Sequence, residues 1–297
     1  MITELDVALP DGRILHAYDR RPTAPRLAVI WHHGTPNIGA PPRPLFAAAD
    51  RLGIRWVSYD RPGYGGSTAR PDRNVGSAAS DVAAVADALG IDRFAVMGHS
   101  GGAPHALGCG VLLPERVVGV VSVAGLAPFG ADGLDWFAGM AASGVSSLRA
   151  AVAGRPAKEA YEASGAEYDP EFTASDLAAL SGEWSWLSSV VGPAQAAGPA
   201  ALIDDDLAYV NPWGFDPAEA RVRATGPTPK FGSPPMPDTS RSSPRPPPPW
   251  SGWPPGSAGQ SFQTGQLEMS AASAYKGSSS IVTLSASAPP NSRAGSR

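Results

Sequence analysis

The stretch Val96-Met97-Gly98-His99-Ser100-Gly101-Gly102-Ala103 decides the fold. It joins an apolar run at residues 93–97, typical of a strand, to a helical pattern at 101–113. A serine at such a junction is held on a sharp turn that lifts its hydroxyl above the sheet, and only small neighbours fit beside it. The amino end of the following helix also favours negative charge that develops there. We therefore predict that Ser100 is a nucleophile, with Gly98 and Gly102 as its small neighbours.

Candidate strands and helices alternate around this turn. Residues 3–9 and 13–18 have a hairpin pattern, further strands are predicted at 27–32, 54–59, 93–97 and 117–124, and helices at 45–53, 78–89 and 101–113. This alternation predicts an α/β fold with a mostly parallel sheet and right-handed crossovers. Ligands bind such sheets at the carboxyl ends of the strands, where Ser100 falls.

The loop His33-Gly34-Thr35-Pro36 follows the strand predicted at 27–32. Acyl transfer needs two backbone N–H groups that converge on the oxyanion of the tetrahedral intermediate. We expect one donor at Gly101, directly after the serine, and the other at Thr35, with Gly34 supporting the loop. The alternative interpretation is that Gly34 serves a plain turn after a strand.

A third loop, Asp60-Arg61-Pro62-Gly63-Tyr64-Gly65-Gly66-Ser67, follows the strand at 54–59, and Asp60 and Arg61 are expected to pair and brace it. In this order the three loops resemble the α/β-hydrolase family, over residues 3–225. The resemblance implies Ser100 as nucleophile, Thr35 and Gly101 as oxyanion donors, and a His99 that supports the turn without acting as the base. Epoxide hydrolases and dehalogenases are similar in fold but place aspartate where Ser100 stands, which disfavours them.

The resemblance also implies hydrolysis of an ester or amide of a small substrate, with no metal ion or other cofactor. The family places its histidine base near the carboxyl end, because a serine hydroxyl is a weak nucleophile at neutral pH. The five histidines here are His16, His32, His33, His99 and His105, and none follows. Asp132 and Asp135 are candidate acids, with a role as loop or helix-capping residues as the alternative. We predict an impaired serine hydrolase; the alternative is a non-catalytic ligand-binding protein.

Four segments are expected along the chain: a hydrolase core at 1–126, a helical lid at 127–210, a return to the core at 211–225, and a tail at 226–297. Residues 225–297 hold 14 of the 32 prolines, with much serine and glycine, which predicts disorder apart from a short apolar run at 280–284. The family's last strands are missing there, so we expect an exposed sheet edge. A shifted reading frame, or a proline-rich ligand for partner domains, are hypotheses for this tail.

Within the predicted lid, Trp184 and Trp186 are expected to line the pocket or, alternatively, to pack inside the lid. Asp204, Asp205 and Asp206 are expected to favour a helix start, because carboxylates stabilise the amino end of a helix.

Composition excludes several classes of function. A formal net charge of −4 gives no indication of nucleic-acid binding, and the longest apolar run, 117–126, is too short to span a bilayer. The first residues show no signal peptide. The single cysteine, Cys109, cannot form an intrachain disulfide, which fits a reducing cytoplasm, and we expect it to pack in the core. The expected partner is a small-molecule substrate, and the oligomeric state stays open.

Overall fold

The computed structural model describes residues 1–219 and 282–285, which belong to one compact unit. The described strands are β1 (Thr3–Ala8), β2 (Ile14–Arg20), β3 (Leu27–His32), β4 (Ile54–Tyr59), β5 (Phe94–His99), β6 (Val117–Val123) and β7 (Val282–Ser285). The described helices are α1 (Phe46–Leu52), α2 (Ala78–Ala88), α3 (Gly102–Leu112), α4 (Ala142–Val152), α5 (Arg155–Ala163), α6 (Ala174–Ser181), α7 (Trp186–Ala196) and α8 (Ala200–Val210).

The strands form one sheet in the order β1-β2-β4-β3-β5-β6-β7. The pairs β3–β4, β3–β5 and β5–β6 are parallel, whereas β1–β2 and β2–β4 are antiparallel. The predicted α/β fold with a mostly parallel sheet is therefore confirmed, and the strands predicted at 27–32 and 54–59 agree to the residue.

Helices α2 and α3 supply much of the core. Val82 and Val85 of α2 and Ala106 and Cys109 of α3 are fully buried, together with Ile30 of β3. Burial of a valine or isoleucine side chain contributes about 1.5–3 kcal/mol relative to exposure. Cys109 is a free thiol in this cluster, and burial raises its pKa, so the side chain packs as a small apolar group.

The sheet edge beyond β6 differs from our expectation. We expected the sheet to end at β6; instead, β7 pairs antiparallel with it, with Val282 opposite Ser122 and Ser285 opposite Gly119. This strand falls in the apolar run at 280–284, whose alternation suits an edge strand. The remaining predictions for the tail, namely its disorder, the missing strands, the shifted frame and the partner domains, lie outside the described residues, as does the return segment from residue 220.

Residues 142–210 form five helices, α4 to α8, separated by turns. Helix α8 packs against α4 and α5. Trp186 is buried and Trp184 is half-buried. Within residues 1–219, no helix is long and apolar enough to cross a membrane.

Candidate active site

Ser100 sits between β5 and α3 with a φ of 52°, a conformation that residues other than glycine rarely adopt. Its N–H donates to the Val123 carbonyl at 2.9 Å, which ties the turn to the end of β6. A Cβ at Gly98 would overlap the Gly102 backbone, and a Cβ at Gly102 would overlap the His32 carbonyl. Glycine is therefore required on both sides, and the half-buried Ser100 is fixed at the carboxyl edge of the sheet.

Thr35 and Gly101, the expected oxyanion donors, lie side by side. A Cβ at Gly101 would overlap both Thr35 Oγ1 and the Tyr209 hydroxyl, and that hydroxyl donates to the Gly101 carbonyl at 2.9 Å. Among the described residues, neither the Thr35 N–H nor the Gly101 N–H has a hydrogen-bond acceptor. Two backbone donors are thus left free to bind an oxygen that carries negative charge.

Gly34 and His99, the other expected supporting residues, contact each other closely. A Cβ at Gly34 would lie 3.5 Å from His99 Nδ1 and 3.2 Å from Asn37 Nδ2. The His99 ring stacks on the Trp31 indole with ring centroids 6.3 Å apart. Burial lowers the pKa of His99 to about 4, so its ring is neutral near pH 7 and packs between the strand ends.

A buried carboxylate that we did not predict, Asp205 of α8, ties the site together. Thr35 Oγ1 donates to Asp205 Oδ2 at 2.6 Å, and the Tyr64 hydroxyl donates to the same oxygen at 2.9 Å. The Arg61 and Arg73 guanidinium groups each approach Asp205 at 2.7 Å. Although burial acts in the opposite direction, these two cations hold the pKa of Asp205 well below its ordinary value.

The expected pairing of Asp60 with Arg61 is wrong. Asp60 instead accepts the Gly66 N–H at 2.9 Å, and burial raises its pKa. Arg61 points to the neighbouring loop, where it donates to the His33 carbonyl, to the Gly34 carbonyl at 3.0 Å and to Thr35 Oγ1. Arg61 therefore braces the loop of Thr35, and Asp205 neutralises its charge.

The interpretation of Asp204, Asp205 and Asp206 as a helix start is also wrong. All three lie inside α8 and are buried, and each has its own basic partner. Arg155 contacts Asp204 at 2.6 Å, and Lys158 contacts Asp206 at 2.7 Å. Since ionised side chains are buried only when paired, Asp204 and Asp206 fix α8 to α5, and Asp205 fixes it to the segment that follows β4.

All five histidines lie in the described part of the chain, and none has a hydrogen bond to Ser100. His16 contacts Asp6, His33 lies against Gly34 and Arg61, His105 binds the Val75 carbonyl, His32 approaches the Cys109 sulfur, and His99 stacks on Trp31. Burial lowers the pKa of His105 to about 3. Of the two candidate acids, Asp135 accepts the Phe137 N–H at 3.3 Å within a turn, and the next helix, α4, begins only at Ala142.

Asp205 and Tyr209 could be found from the sequence only by placing them inside a helix. They are four residues apart, so they share one face of α8, and both reach Thr35. The run of three aspartates is a poor guide, because it looks like a solvated patch until its cations are known. In the described residues, no group of three or more His, Cys, Asp or Glu side chains is arranged to hold a metal ion.

Comparison with known proteins identifies the fold. Residues 28–164 match the family model described as alpha/beta hydrolase fold. Epoxide hydrolase B of Mycobacterium tuberculosis (strain ATCC 25618 / H37Rv) is 32% identical over 127 residues, which is 41% of this chain and 35% of that protein. The chain thus spans about a third of the length of the curated relatives it matches.

Two solved structures illustrate the range of similar proteins. A thermophilic esterase from Thermogutta terrifontis is 16% identical, covers 70% of this chain and 72% of its own, and has a TM-score of 0.48. Epoxide hydrolase A from Mycobacterium thermoresistibile is 25% identical, covers 40% of this chain and 38% of its own, and has a TM-score of 0.36.

Proposed function

We propose, on the premise that residues 28–164 have the α/β-hydrolase fold, that this chain is a serine hydrolase for an ester or amide of a small substrate, with turnover impaired by the lack of a base. One observation carries the proposal: Ser100 holds a φ of 52° on a strand-to-helix turn, beside the free N–H groups of Thr35 and Gly101. A strained backbone at such a place is characteristic of functional sites.

The proposed reaction has two steps. Ser100 Oγ attacks the carbonyl carbon and gives up its proton to water or to an added base such as imidazole, while the Thr35 and Gly101 N–H groups donate to the oxyanion. The intermediate expels the alcohol or amine, which takes up a proton from the conjugate acid of that base, and leaves an acyl ester on Ser100. Water then hydrolyses that ester, which releases the acid and restores the serine.

Serine at position 100 favours acyl transfer over epoxide opening, although the curated relatives are named epoxide hydrolases. A carboxylate that opens an epoxide forms an ester, which water can hydrolyse. A serine that opens an epoxide forms an ether, which water cannot hydrolyse under the same conditions. With Ser100 as nucleophile, an epoxide would therefore inactivate the protein after one event, whereas an ester or amide allows turnover.

The proposed impairment follows from the histidines, since none of the five reaches Ser100. Nucleophile and base act as a unit, and loss of the base in a serine protease costs about 10⁶ in kcat. The oxyanion donors alone retain about 10³–10⁴ over the reaction in water. We further propose that residues 127–210 act as the lid that limits the size of the substrate, and that residues 211–225 return the chain to the core.

The experiment is chemical rescue with imidazole. Hydrolysis of p-nitrophenyl acetate is followed with increasing imidazole for the wild-type chain and for Ser100→Ala, and the rate due to imidazole alone is subtracted. We expect an imidazole-dependent rate in the wild type that Ser100→Ala lacks. Without added base, the two proteins should differ little, because the serine alone is poorly reactive. Equal imidazole-dependent rates in both proteins would refute the assignment of Ser100.

A second candidate is a ligand-binding protein without catalysis. Each of the five histidines contacts a group other than Ser100, and this favours the second candidate. In that case the free Thr35 and Gly101 N–H groups bind an oxygen of the ligand without any covalent step. Calorimetry with the acid product of an ester substrate separates the two candidates. Binding that is unchanged in Ser100→Ala, together with no imidazole rescue, would favour the binding protein.

A further inference from the structure

A cavity of about 370 Å³ lies far from Ser100, before the amino ends of two strands of the sheet. Arg26 and Gly53 line it, and they directly precede β3 and β4. Strand β3 pairs in parallel with both β4 and β5, so the three strands run in the same direction. Ser100 follows the carboxyl end of β5, whereas Arg26 and Gly53 stand before the amino ends of β3 and β4. The cavity and the candidate active site are therefore at opposite ends of the sheet.

The charge of this cavity is opposite to that of the chain. Four arginines and one aspartate line it, namely Arg20, Arg21, Arg26, Arg51 and Asp50, so these side chains carry +3. The whole chain has a formal net charge of −4. Such a concentration of cations in an acidic protein produces a local field that attracts anions.

Three of the four guanidinium groups have free donors. Arg20 is occupied, because it forms two hydrogen bonds to Asp50 at 2.9 and 2.7 Å. Arg21 uses only Nε, on Asp19 at 2.8 Å. Within residues 1–219, Arg26 and Arg51 have no ion pair, and both are exposed. The free groups of Arg21, Arg26 and Arg51 can therefore turn to a ligand without breaking a contact.

The walls of the cavity are held in place by the backbone. The Arg26 N–H donates to the Gly53 carbonyl at 2.7 Å, which fixes the loop before β3 to the end of α1. Gly53 has a φ of 70°, and a Cβ there would lie 2.8 Å from the Ala24 carbonyl oxygen. The backbone of the cavity walls is therefore in place before any ligand binds, and the entropy cost of binding falls on the exposed arginine side chains.

We propose that this cavity binds a compact polyanion through a pyrophosphate group. The planar fork of arginine matches phosphate oxygens in bidentate pairs. One carboxylate would neutralise only one of the two unpaired cations, Arg26 and Arg51, whereas a pyrophosphate group brings several negative charges within the span of a small cavity. A volume of about 370 Å³ is at the lower end for small-molecule sites, which suits a ligand of this size. Among the described residues that line the cavity none is aromatic, so a nucleobase finds nothing to stack on there.

The test is calorimetric titration with inorganic pyrophosphate. We expect the double variant Arg26→Gln/Arg51→Gln to bind about tenfold or more weakly than the wild type, because it removes the two unpaired guanidinium groups, whose hydrogen bonds to phosphate oxygens are charge-assisted. Both side chains are exposed, so the variant should keep its fold, which circular dichroism checks. The matched control is Arg70→Gln/Arg149→Gln, which removes two charges outside the cavity and should leave the affinity within about twofold.

Equal loss of affinity in both double variants would mean that diffuse charge binds the anion, and this would overturn the site. Absence of binding by the wild type at millimolar pyrophosphate would also overturn it. Orthophosphate should bind more weakly than pyrophosphate. Adenosine diphosphate should bind no more tightly than pyrophosphate. Much tighter binding of adenosine diphosphate would overturn the assignment to phosphate recognition alone.

Discussion

Thr35 Oγ1 donates a 2.6 Å hydrogen bond to Asp205 Oδ2, across 170 positions of the sequence. Thr35 belongs to the loop after β3, and Asp205 lies inside α8. The carboxylate also pairs with Arg61, which holds the Gly34 carbonyl at 3.0 Å. The loop that carries one expected oxyanion donor is therefore held by a helix from a distant part of the chain, and the shape of the site depends on that helix.

Asp205→Asn should strongly destabilise the fold. The amide keeps the shape but leaves Arg61 and Arg73 buried without a counter-charge, and breaking a buried ion pair costs about 3–5 kcal/mol. Urea unfolding measures the loss. The control is Asp204→Asn, whose partner Arg155 is partly exposed, with an expected cost of about 1 kcal/mol or less. Equal costs for the two variants would show that Asp205 does not organise the site.

Ser100→Gly should make the protein more stable while removing the nucleophile. Ser100 has a φ of 52°, and a left-handed conformation costs a residue with a Cβ roughly 1 kcal/mol, which glycine avoids. Ser100→Ala keeps the Cβ and serves as the control, with a stability close to that of the wild type. Thermal unfolding compares the three proteins. If Ser100→Gly is no more stable than Ser100→Ala, the turn is not strained.

Gly101→Ala should separate the two oxyanion loops. Its Cβ would overlap Thr35 Oγ1 and the Tyr209 hydroxyl, and overpacking of this kind costs about 1–3 kcal/mol. Gly192→Ala in α7 is the control, because its Cβ meets nothing within 4 Å apart from its chain neighbours, of which Pro193 disfavours a Cβ in the helical conformation. We expect a smaller loss of stability for Gly192→Ala than for Gly101→Ala in unfolding experiments. A neutral Gly101→Ala would refute the close approach of Thr35 to Gly101.

Asp206 should make stability depend on pH. Burial raises its pKa from 3.8 to about 6, so the folded chain takes up this proton more readily than the unfolded chain. The wild type should therefore gain stability relative to Asp206→Asn as pH falls from about 6 to about 4, the reverse of the usual acid loss. Thermal unfolding of both proteins at pH 7 and pH 4.5 measures the change. If the stability of the wild type relative to Asp206→Asn stays constant, or falls at low pH, the result contradicts the raised pKa.

The fold was predictable because its signals are local. The strand, serine turn and helix around Ser100 are specified by glycines and apolar runs within about twenty residues, and parallel strands follow from their alternation. The same holds for the placement of Thr35, which must follow β3 at the carboxyl edge. The outcomes for these elements agree with the sequence to within two residues at most ends.

The charge cluster was not predictable for a physical reason. Whether an aspartate is exposed or buried depends on its partner, and Asp205 and Arg61 are 144 positions apart. Asp60 is the nearest carboxylate to Arg61 along the chain, which made the wrong pairing attractive. Strand β7 was not predicted for a related reason, since a strand of four residues carries little sequence pattern and its partner β6 lies far away along the chain.

The central claim is that Ser100 is a nucleophile beside free oxyanion donors and lacks only its base. Labelling with a fluorophosphonate tests this most directly, because Ser100 Oγ displaces fluoride and leaves a stable adduct that peptide mass spectrometry can locate. The account predicts one adduct, on Ser100, formed faster as imidazole is added to accept the proton, and none in Ser100→Ala. Adducts on other residues, or labelling of Ser100 that ignores imidazole, would contradict it.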